Sequence, residues 1–174
     1  VDNAHDSIKA ASAHANDKLQ FFERDIREDF SLGKFNFALN LFTSFGYFNA
    51  DEESLISLSN ISNSLQSEGS FVFAYLNEKK VVSNLSETEQ QEIDGIKFSI
   101  TRTVDDRFIR KHIKVVDGNE EYQFQEQVRR FGIKELKPML ESVGFEIKNV
   151  FGNYTLDAFD ENVSDRLIIH AIKS

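Results

Sequence analysis

The first half of the chain alternates between segments with helical and with strand-like hydrophobic spacing. Residues 6–17 predict a short helix, and residues 19–23 predict a strand. A nearly continuous apolar run over 35–42 is typical of a strand covered on both faces of a parallel sheet. Apolar residues at helical spacing follow over 49–65, and residues 70–76 predict the next buried strand. This order predicts an α/β fold with a doubly wound sheet.

The pattern changes to strict alternation in the second half. Ile96, Phe98 and Ile100 alternate with polar residues, and Asp105 and Asp117 begin turn signals between further strand-like segments. We therefore expect an antiparallel β insertion over residues 95–131. The polar stretch from 83 to 92 is expected to be a surface loop or a short helix.

Helical spacing returns after the insertion. Residues 133–143 predict a helix that ends at Gly144, with Pro138 either in its first turn or causing a kink. Residues 145–151 and 166–172 predict two terminal strands, which we expect to pair antiparallel. Residues 1–174 are expected to form a single domain.

Composition and charge narrow the classes of function. The chain has 174 residues, no cysteine, a formal charge of −9 and a pI near 4.9. Disulfides and thiolate metal sites are excluded, and an acidic surface repels phosphate backbones, so we expect no nucleic-acid partner. No apolar run approaches the roughly 20 residues that span a bilayer, so no membrane partner is expected and a cytoplasmic location is predicted. The histidines have no spacing that gathers metal ligands, so no metal site is predicted.

Several segments of the chain occur in an order and at a spacing that resemble those of one family. They are Val1-Asp2 with Asp6-Ser7-Ile8, Arg24-Asp25-Ile26-Arg27, Asn36 to Phe48, Leu65 to Gly69, Glu126 to Phe131, Glu135-Leu136, Val143-Gly144-Phe145 and Ser164 to Ile169. Together they resemble the class I S-adenosylmethionine-dependent methyltransferases, in the branch that acts on small molecules. The resemblance implies a Rossmann-like sheet with an antiparallel terminal strand pair and a β insertion before the last helix.

The resemblance also implies an N-terminal truncation. The family's Gly-rich loop is expected about 20 residues before Val1, since the acidic residue that ends the second strand lies that far beyond the glycines. The first strand, its Gly-rich loop and the following helix are therefore expected to be missing from this chain. Strand edges beside Leu39 and Phe21 would then be exposed. We therefore expect either that the full protein contains more residues than this chain or that the chain associates with another copy of itself.

The resemblance assigns five residues to the cofactor, S-adenosylmethionine. Asp2 would accept the ribose hydroxyls, Asp25 would accept from the adenine amino group, and the backbone amide of Ile26 would meet the ring. Asn40 and Leu41 end the strand over 35–42, where open α/β sheets hold ligands. Asn40 would hold the amino group of the methyl donor or the acceptor.

A second set of residues is expected on the side of the small-molecule acceptor. Tyr47 follows an aromatic segment, while Tyr75 and Asn77 end the strand over 70–76. Arg129, at the end of the insertion, would fix a carboxylate or phosphate on the acceptor. The insertion itself is expected to cover the acceptor side. No catalytic residue is assigned, although His112 is the histidine to nominate as a base for an oxygen acceptor.

Two other functions stay open on the residues alone. A nicotinamide-dependent oxidoreductase shares the alternating pattern, but its final strands are usually parallel. A non-catalytic module with a methyltransferase-like fold is favoured by the missing Gly-rich loop. A GxGxG-type turn upstream of Val1 would indicate the enzyme, whereas an initiating methionine close to Val1 would indicate the binding module.

Overall fold

The computed structural model describes residues 1–29 and 32–174. The elements, in chain order, are α1 (His5–Ser12), β1 (Phe35–Asn40), α2 (Asp51–Ser64), β2 (Leu65–Leu76), α3 (Glu78–Ser83), β3 (Thr88–Ile93), β4 (Ile96–Val104), β5 (Phe108–Asp117), β6 (Glu120–Arg129), α4 (Ile133–Ser142), β7 (Phe145–Phe151) and β8 (Arg166–Lys173). None of the helices in these two ranges combines the length and the apolar character that crossing a membrane requires.

The main sheet has the strand order β1-β2-β8-β7. β1 runs parallel to β2, while β8 runs antiparallel to both β2 and β7. The α/β class and the antiparallel pairing of the two terminal strands are therefore confirmed. Within the described residues, β1 pairs on one edge only.

An aromatic core lies under one face of this sheet. β2 alternates, so Phe71, Phe73 and Tyr75 point to the same side, where α2 and α4 pack. The Phe71 ring stacks on Phe145 with centroids 5.0 Å apart, and Phe45 meets Phe73 edge-on at 5.2 Å. Each buried ring contributes about 1.5 to 3 kcal/mol by leaving water, so these rings hold the sheet and the helices together.

The β insertion forms a second, antiparallel sheet of order β3-β4-β5-β6. It begins at Thr88, before the predicted boundary at 95, so residues 88–93 are a strand where a loop or short helix was expected. The short helix lies earlier, as α3. β3 carries polar side chains and is exposed along its whole length, so no hydrophobic alternation marks it. Its pairing with β4 supplies the backbone hydrogen bonds instead.

Two local predictions also differ from the structure, and a third, on Pro138, loses one of its two alternatives. Residues 19–23 form no strand, and the backbone there makes only isolated bridges such as Asp2 with Glu23. β1 ends at Asn40, because Phe42 and Thr43 both have positive φ and cannot continue an extended strand. Pro138 lies beyond the first turn of α4, on its exposed side, where water can satisfy the carbonyl that proline leaves unpaired.

Gly46 lies where the main sheet meets the insertion. Its φ of +90° is left-handed, and its carbonyl accepts a hydrogen bond from the Arg129 amide at 2.7 Å. The Tyr75 hydroxyl donates to the Arg129 carbonyl, also at 2.7 Å. A β-carbon at Gly46 would lie 2.0 Å from that hydroxyl oxygen. Only glycine therefore fits this junction.

We expect Gly46→Ala to destabilise the protein by about 2 to 4 kcal/mol, because overpacking against a buried tyrosine adds to backbone strain. Chemical denaturation would measure the loss. Gly118→Ala is the matched control, since Gly118 also has a positive φ of 58° but has open space around it. Equal losses in the two variants would contradict a contact with Tyr75.

Candidate functional site

A cleft of about 860 Å³ opens beside β1. Its walls come from the N-terminal segment, the segment after residue 22, β1 with the loop that follows it, and the end of α2. This volume lies in the range of small-molecule sites. The cleft runs along β1 from Phe35 and continues past the carboxyl end of the strand to Leu41 and Ser44. That end is where ligands of open α/β sheets bind.

All five residues predicted to bind the cofactor line this cleft. They are Asp2, Asp25, Ile26, Asn40 and Leu41. They come from three separate segments of the chain, so the fold brings them together. Tyr47, predicted on the acceptor side, lines the same cleft.

Asp2 is held by backbone hydrogen bonds to the neighbouring segment. Its amide donates to the Phe22 carbonyl at 3.1 Å, and its carbonyl accepts from the Arg24 amide at 2.9 Å. One carboxylate oxygen accepts from the Ala4 amide at 2.8 Å. The carboxylate is therefore oriented by its own turn while its exposed side faces the cleft.

Asp25 has an arginine as its partner. Arg27 donates from Nε and Nη2 to the Asp25 carboxylate, and the Arg27 amide donates to Oδ1 at 2.9 Å. These bonds to Arg27 hold the pKa of the Asp25 carboxyl below its usual value. Asp25 is therefore a fixed anion at the cleft wall.

Asn40 carries the unsatisfied polar group of the cleft. It ends β1 opposite Phe73 of β2, and its side-chain Nδ2 is buried without a hydrogen-bond partner. Leaving a buried donor unpaired costs about 1 to 3 kcal/mol. Buried polar groups are normally satisfied, so an orphaned amide in a cleft indicates a place for a ligand.

The loop that follows β1 crosses the end of the cleft in a strained conformation. Phe42 and Thr43 have φ values of 58° and 67°, which are uncommon for a bulky or β-branched residue. The Thr43 hydroxyl accepts from Arg166 at 3.0 Å, and the Ser44 hydroxyl donates to the Leu41 carbonyl at 2.8 Å. These bonds hold the loop in place, and the loop carries Tyr47 to the cleft.

The structure does not bring three of the predicted acceptor-side residues to the cleft surface. Tyr75 is fully buried and donates to the Arg129 carbonyl. Asn77 is 3% exposed and donates to the carbonyls of Glu161 and Ser164. In both cases the donor of the side chain is taken up by backbone carbonyls.

Arg129 is also buried, with 7% of its surface exposed. It pairs with Asp51 at 2.5 Å, and its guanidinium lies 5.3 Å from the Phe108 ring centre and 4.7 Å from that of Phe131. A buried arginine with a carboxylate and two aromatic rings around it is fully partnered. Arg129 therefore holds the insertion against the start of α2 and does not face the cleft.

Tyr47 and Glu126 bring the insertion close to the cleft. Tyr47 is 54% exposed. The pKa of its hydroxyl is raised, mainly because the ring is partly buried and also because Glu126 on β6 places a negative charge nearby. Gln127 donates to the Asn49 side chain at 2.7 Å, which fixes β6 against the same loop. The insertion therefore adds one carboxylate to the region around Tyr47.

His112 and metal ligation lie outside this arrangement. His112 is exposed on β5, opposite Gln125 of β6, and does not line the cleft. In residues 1–29 and 32–174, no group of three or more histidine, aspartate or glutamate side chains could hold a metal ion.

The sequence predictions gave no role to Arg27 or Glu126. Arg27 follows Asp25 by two residues, a spacing at which an Asp side chain commonly bonds its own backbone, and this signal could have found the pair. Nothing local relates Glu126 to Tyr47, because β6 reaches the loop only through the sheet.

A comparison with protein-family models finds no match, and neither does a comparison with curated protein sequences. Solved structures do match. A S-adenosylmethionine-dependent methyltransferase from Clostridium acetobutylicum has a TM-score of 0.85 at 14% identity, over 99% of this chain and 73% of that one. The CcbJ methyltransferase from Streptomyces caelestis has a TM-score of 0.77 at 16% identity, over 95% and 68%.

The sugar N-methyltransferase KedS8 from Streptoalloteichus has a TM-score of 0.77 at 12% identity, over 98% of this chain and 68% of that one. At such identities the likeness is one of fold. The predicted Rossmann-like class is confirmed, and the chain has the fold of the S-adenosylmethionine-dependent methyltransferases.

Proposed function

We propose that the chain takes part in methyl transfer from S-adenosylmethionine to a small-molecule acceptor, with the cleft beside β1 as the donor site. The observation that carries this proposal is the convergence of Asp2, Asp25, Ile26, Asn40 and Leu41 on one cleft at the carboxyl end of a parallel strand. The fold shared with known methyltransferases supports the same reading.

The polar groups that line the cleft complement the polar groups of S-adenosylmethionine. Asp2 supplies a carboxylate for a pair of ribose hydroxyls, because only one of its oxygens is engaged by its own turn. Asp25 is an anion that can accept from an adenine amino group. The unpaired Nδ2 of Asn40 is a hydrogen-bond donor, so a carboxylate oxygen of the ligand would satisfy it. The amino group of the methyl donor would instead need the Oδ1 of Asn40.

The chemistry asks mainly for positioning. The sulfonium of the donor supplies an activated methyl group when it is bound. The chain's part is to hold donor and acceptor in line and to keep water away. Tyr47 has an exposed ring and hydroxyl at the cleft, and a π face attracts cations. We therefore place Tyr47 beside the reacting groups.

The acceptor side is proposed to lie where the insertion meets the loop after β1. Tyr47 would contact the acceptor directly, while Tyr75, Asn77 and Arg129 would shape its wall through the bonds they already make. KedS8 is named a sugar N-methyltransferase, and a small polar acceptor of that kind suits a carboxylate at Glu126.

Composition and the open edge of β1 bear on the compartment and the oligomeric state of the protein. A chain without cysteine suits a reducing compartment, and we propose a cytoplasmic location. The open edge of β1 carries Phe37 and Leu39, which are 69% and 63% exposed, and such an edge favours a homo-oligomer.

The donor site is tested by binding of S-adenosylmethionine and its demethylated product, measured by calorimetry. We expect Asp25→Ala to weaken binding by about 1 to 3 kcal/mol, because a polar group of the ligand loses its partner. Asp165→Ala is the control, since Asp165 is an exposed carboxylate paired with Lys80 and does not line the cleft.

Binding of a nicotinamide dinucleotide in place of both ligands would reject the donor assignment. Donor binding without methyl transfer to any small molecule would favour the non-catalytic module.

The contact between the insertion and the cleft is tested at Glu126. We expect Glu126→Gln to lower the pKa of Tyr47 towards its ordinary value near 10, because a nearby negative charge disfavours the phenolate. NMR of ring-labelled tyrosine would measure the shift. Glu121→Gln is the control, since Glu121 pairs with Lys114 further along β6. An unchanged Tyr47 titration in Glu126→Gln would separate the insertion from the site.

A further inference from the structure

Arg27 connects two segments of the cleft wall to the start of α2 through one guanidinium. Its Nε and Nη2 donate to Asp25, and its Nη1 donates to Glu53 at 2.7 Å. Its guanidinium carbon lies 4.9 Å from the centre of the Phe48 ring. The segment around Asp25, the first turn of α2 and the loop after β1 therefore meet at a single side chain.

The geometry at Asp25 leaves room for a ligand. Oδ1 accepts from the Arg27 amide and from Nε at 3.0 Å, and Oδ2 accepts from Nε at 3.1 Å and from Nη2 at 2.5 Å. These four contacts come from only three N–H groups, because the Nε hydrogen is shared between the two oxygens. A carboxylate has about four acceptor positions, so one position is left for a ligand. The Asp25 side chain is 23% exposed and lines the cleft, so acceptor capacity faces the cleft.

The far side of Arg27 is fixed independently of Asp25. Glu53 accepts from Arg27 and also from the Ala50 amide at 3.2 Å, which ties the arginine to the start of α2. These bonds, with that to Arg27 the strongest, hold the pKa of the Glu53 carboxyl below its usual value. Arg27 therefore has a fixed anchor from which it can orient Asp25.

We infer that Arg27 is a positioning residue for the donor site: it holds the Asp25 carboxylate in the orientation that meets the methyl donor and links that orientation to the first turn of α2. This inference rests on the proposed function. A planar guanidinium can bond two carboxylates and lie over a ring at the same time, whereas a lysine ammonium is a point charge without a fork. The role therefore needs arginine at this position.

The test combines donor affinity with the titration of Asp25. We expect Arg27→Ala to weaken S-adenosylmethionine about 10- to 100-fold in calorimetry, because a misplaced polar partner loses that much. The pKa of Asp25, followed by NMR of its labelled carboxyl carbon, should rise towards its ordinary value in the same variant. Arg27→Lys should restore part of the low pKa, because it keeps the positive charge, but little of the affinity.

Two further variants separate positioning from general effects. Glu53→Gln leaves the bonds from Arg27 to Asp25 in place but loosens the anchor on α2, so a smaller loss of affinity is expected. Arg102→Ala is the matched control, because Arg102 pairs with Glu89 inside the insertion and does not line the cleft. Its donor affinity should equal that of the unchanged chain.

The outcomes distinguish the two proposals. If the unchanged chain binds S-adenosylmethionine and Arg27→Ala binds it equally well, Arg27 is a structural residue and this inference is rejected while the proposed function stands. Full affinity in Arg27→Lys also rejects the inference, because charge alone would then suffice. If the unchanged chain binds neither the donor nor its product, the proposed function fails and the inference fails with it.

Discussion

Two carboxylates in the first turn of α2 hold the two sides of the site together. Asp51 pairs with Arg129 at 2.5 Å, and Glu53 pairs with Arg27 at 2.7 Å. Acidic groups are favourable at a helix N-terminus because they complement the partial positive charge there. The same groups also pair with Arg129 and, at 3.8 Å, Arg107 of the insertion, and with Arg27 of the segment beside Asp25. The start of α2 is therefore the common support of both walls.

Arg129 and Arg27 differ in burial, and burial determines how much each contributes to stability. Arg129 is almost fully buried, so its charge must stay paired, and loss of Asp51 would leave a costly uncompensated cation. Arg27 has 42% of its side chain exposed, so its ion pairs are screened by water and contribute little to stability. Arg129 secures the fold, whereas Arg27 can serve the orientation of Asp25.

The cleft itself follows from the end of one parallel strand. β1 must stop at Asn40 because Phe42 and Thr43 turn the chain through left-handed conformations. The turn directs the following loop along the cleft, where Gly46 permits close contact with Tyr75. Three unusual features thus lie within a few residues of one another. They are the unpaired amide of Asn40, the strained backbone of the loop and the close packing at Gly46. Such concentration is typical of functional sites, where local strain is held in place by the surrounding structure.

The sequence by itself determined the order of the main elements, and its resemblance to one family selected five residues that the structure brings to one cleft. Hydrophobic spacing is a local property, and residues that end parallel strands meet at one edge whatever the details of packing. This rule places Asn40 at the cleft, whereas Asp2 and Asp25 follow from the resemblance, since residues 19–23 form no strand.

Only the tertiary structure decided which polar side chains were available. Tyr75 and Asn77 follow the same strand-end rule, yet their polar atoms satisfy buried carbonyls, and burial depends on what packs over a residue. β3 has a single apolar residue, Ile93, and its hydrogen bonds come from pairing with β4, which hydrophobic spacing does not reveal. The roles of Arg27 and Glu126 arise from partners far along the chain, Glu53 and Tyr47, and such contacts exist only after folding.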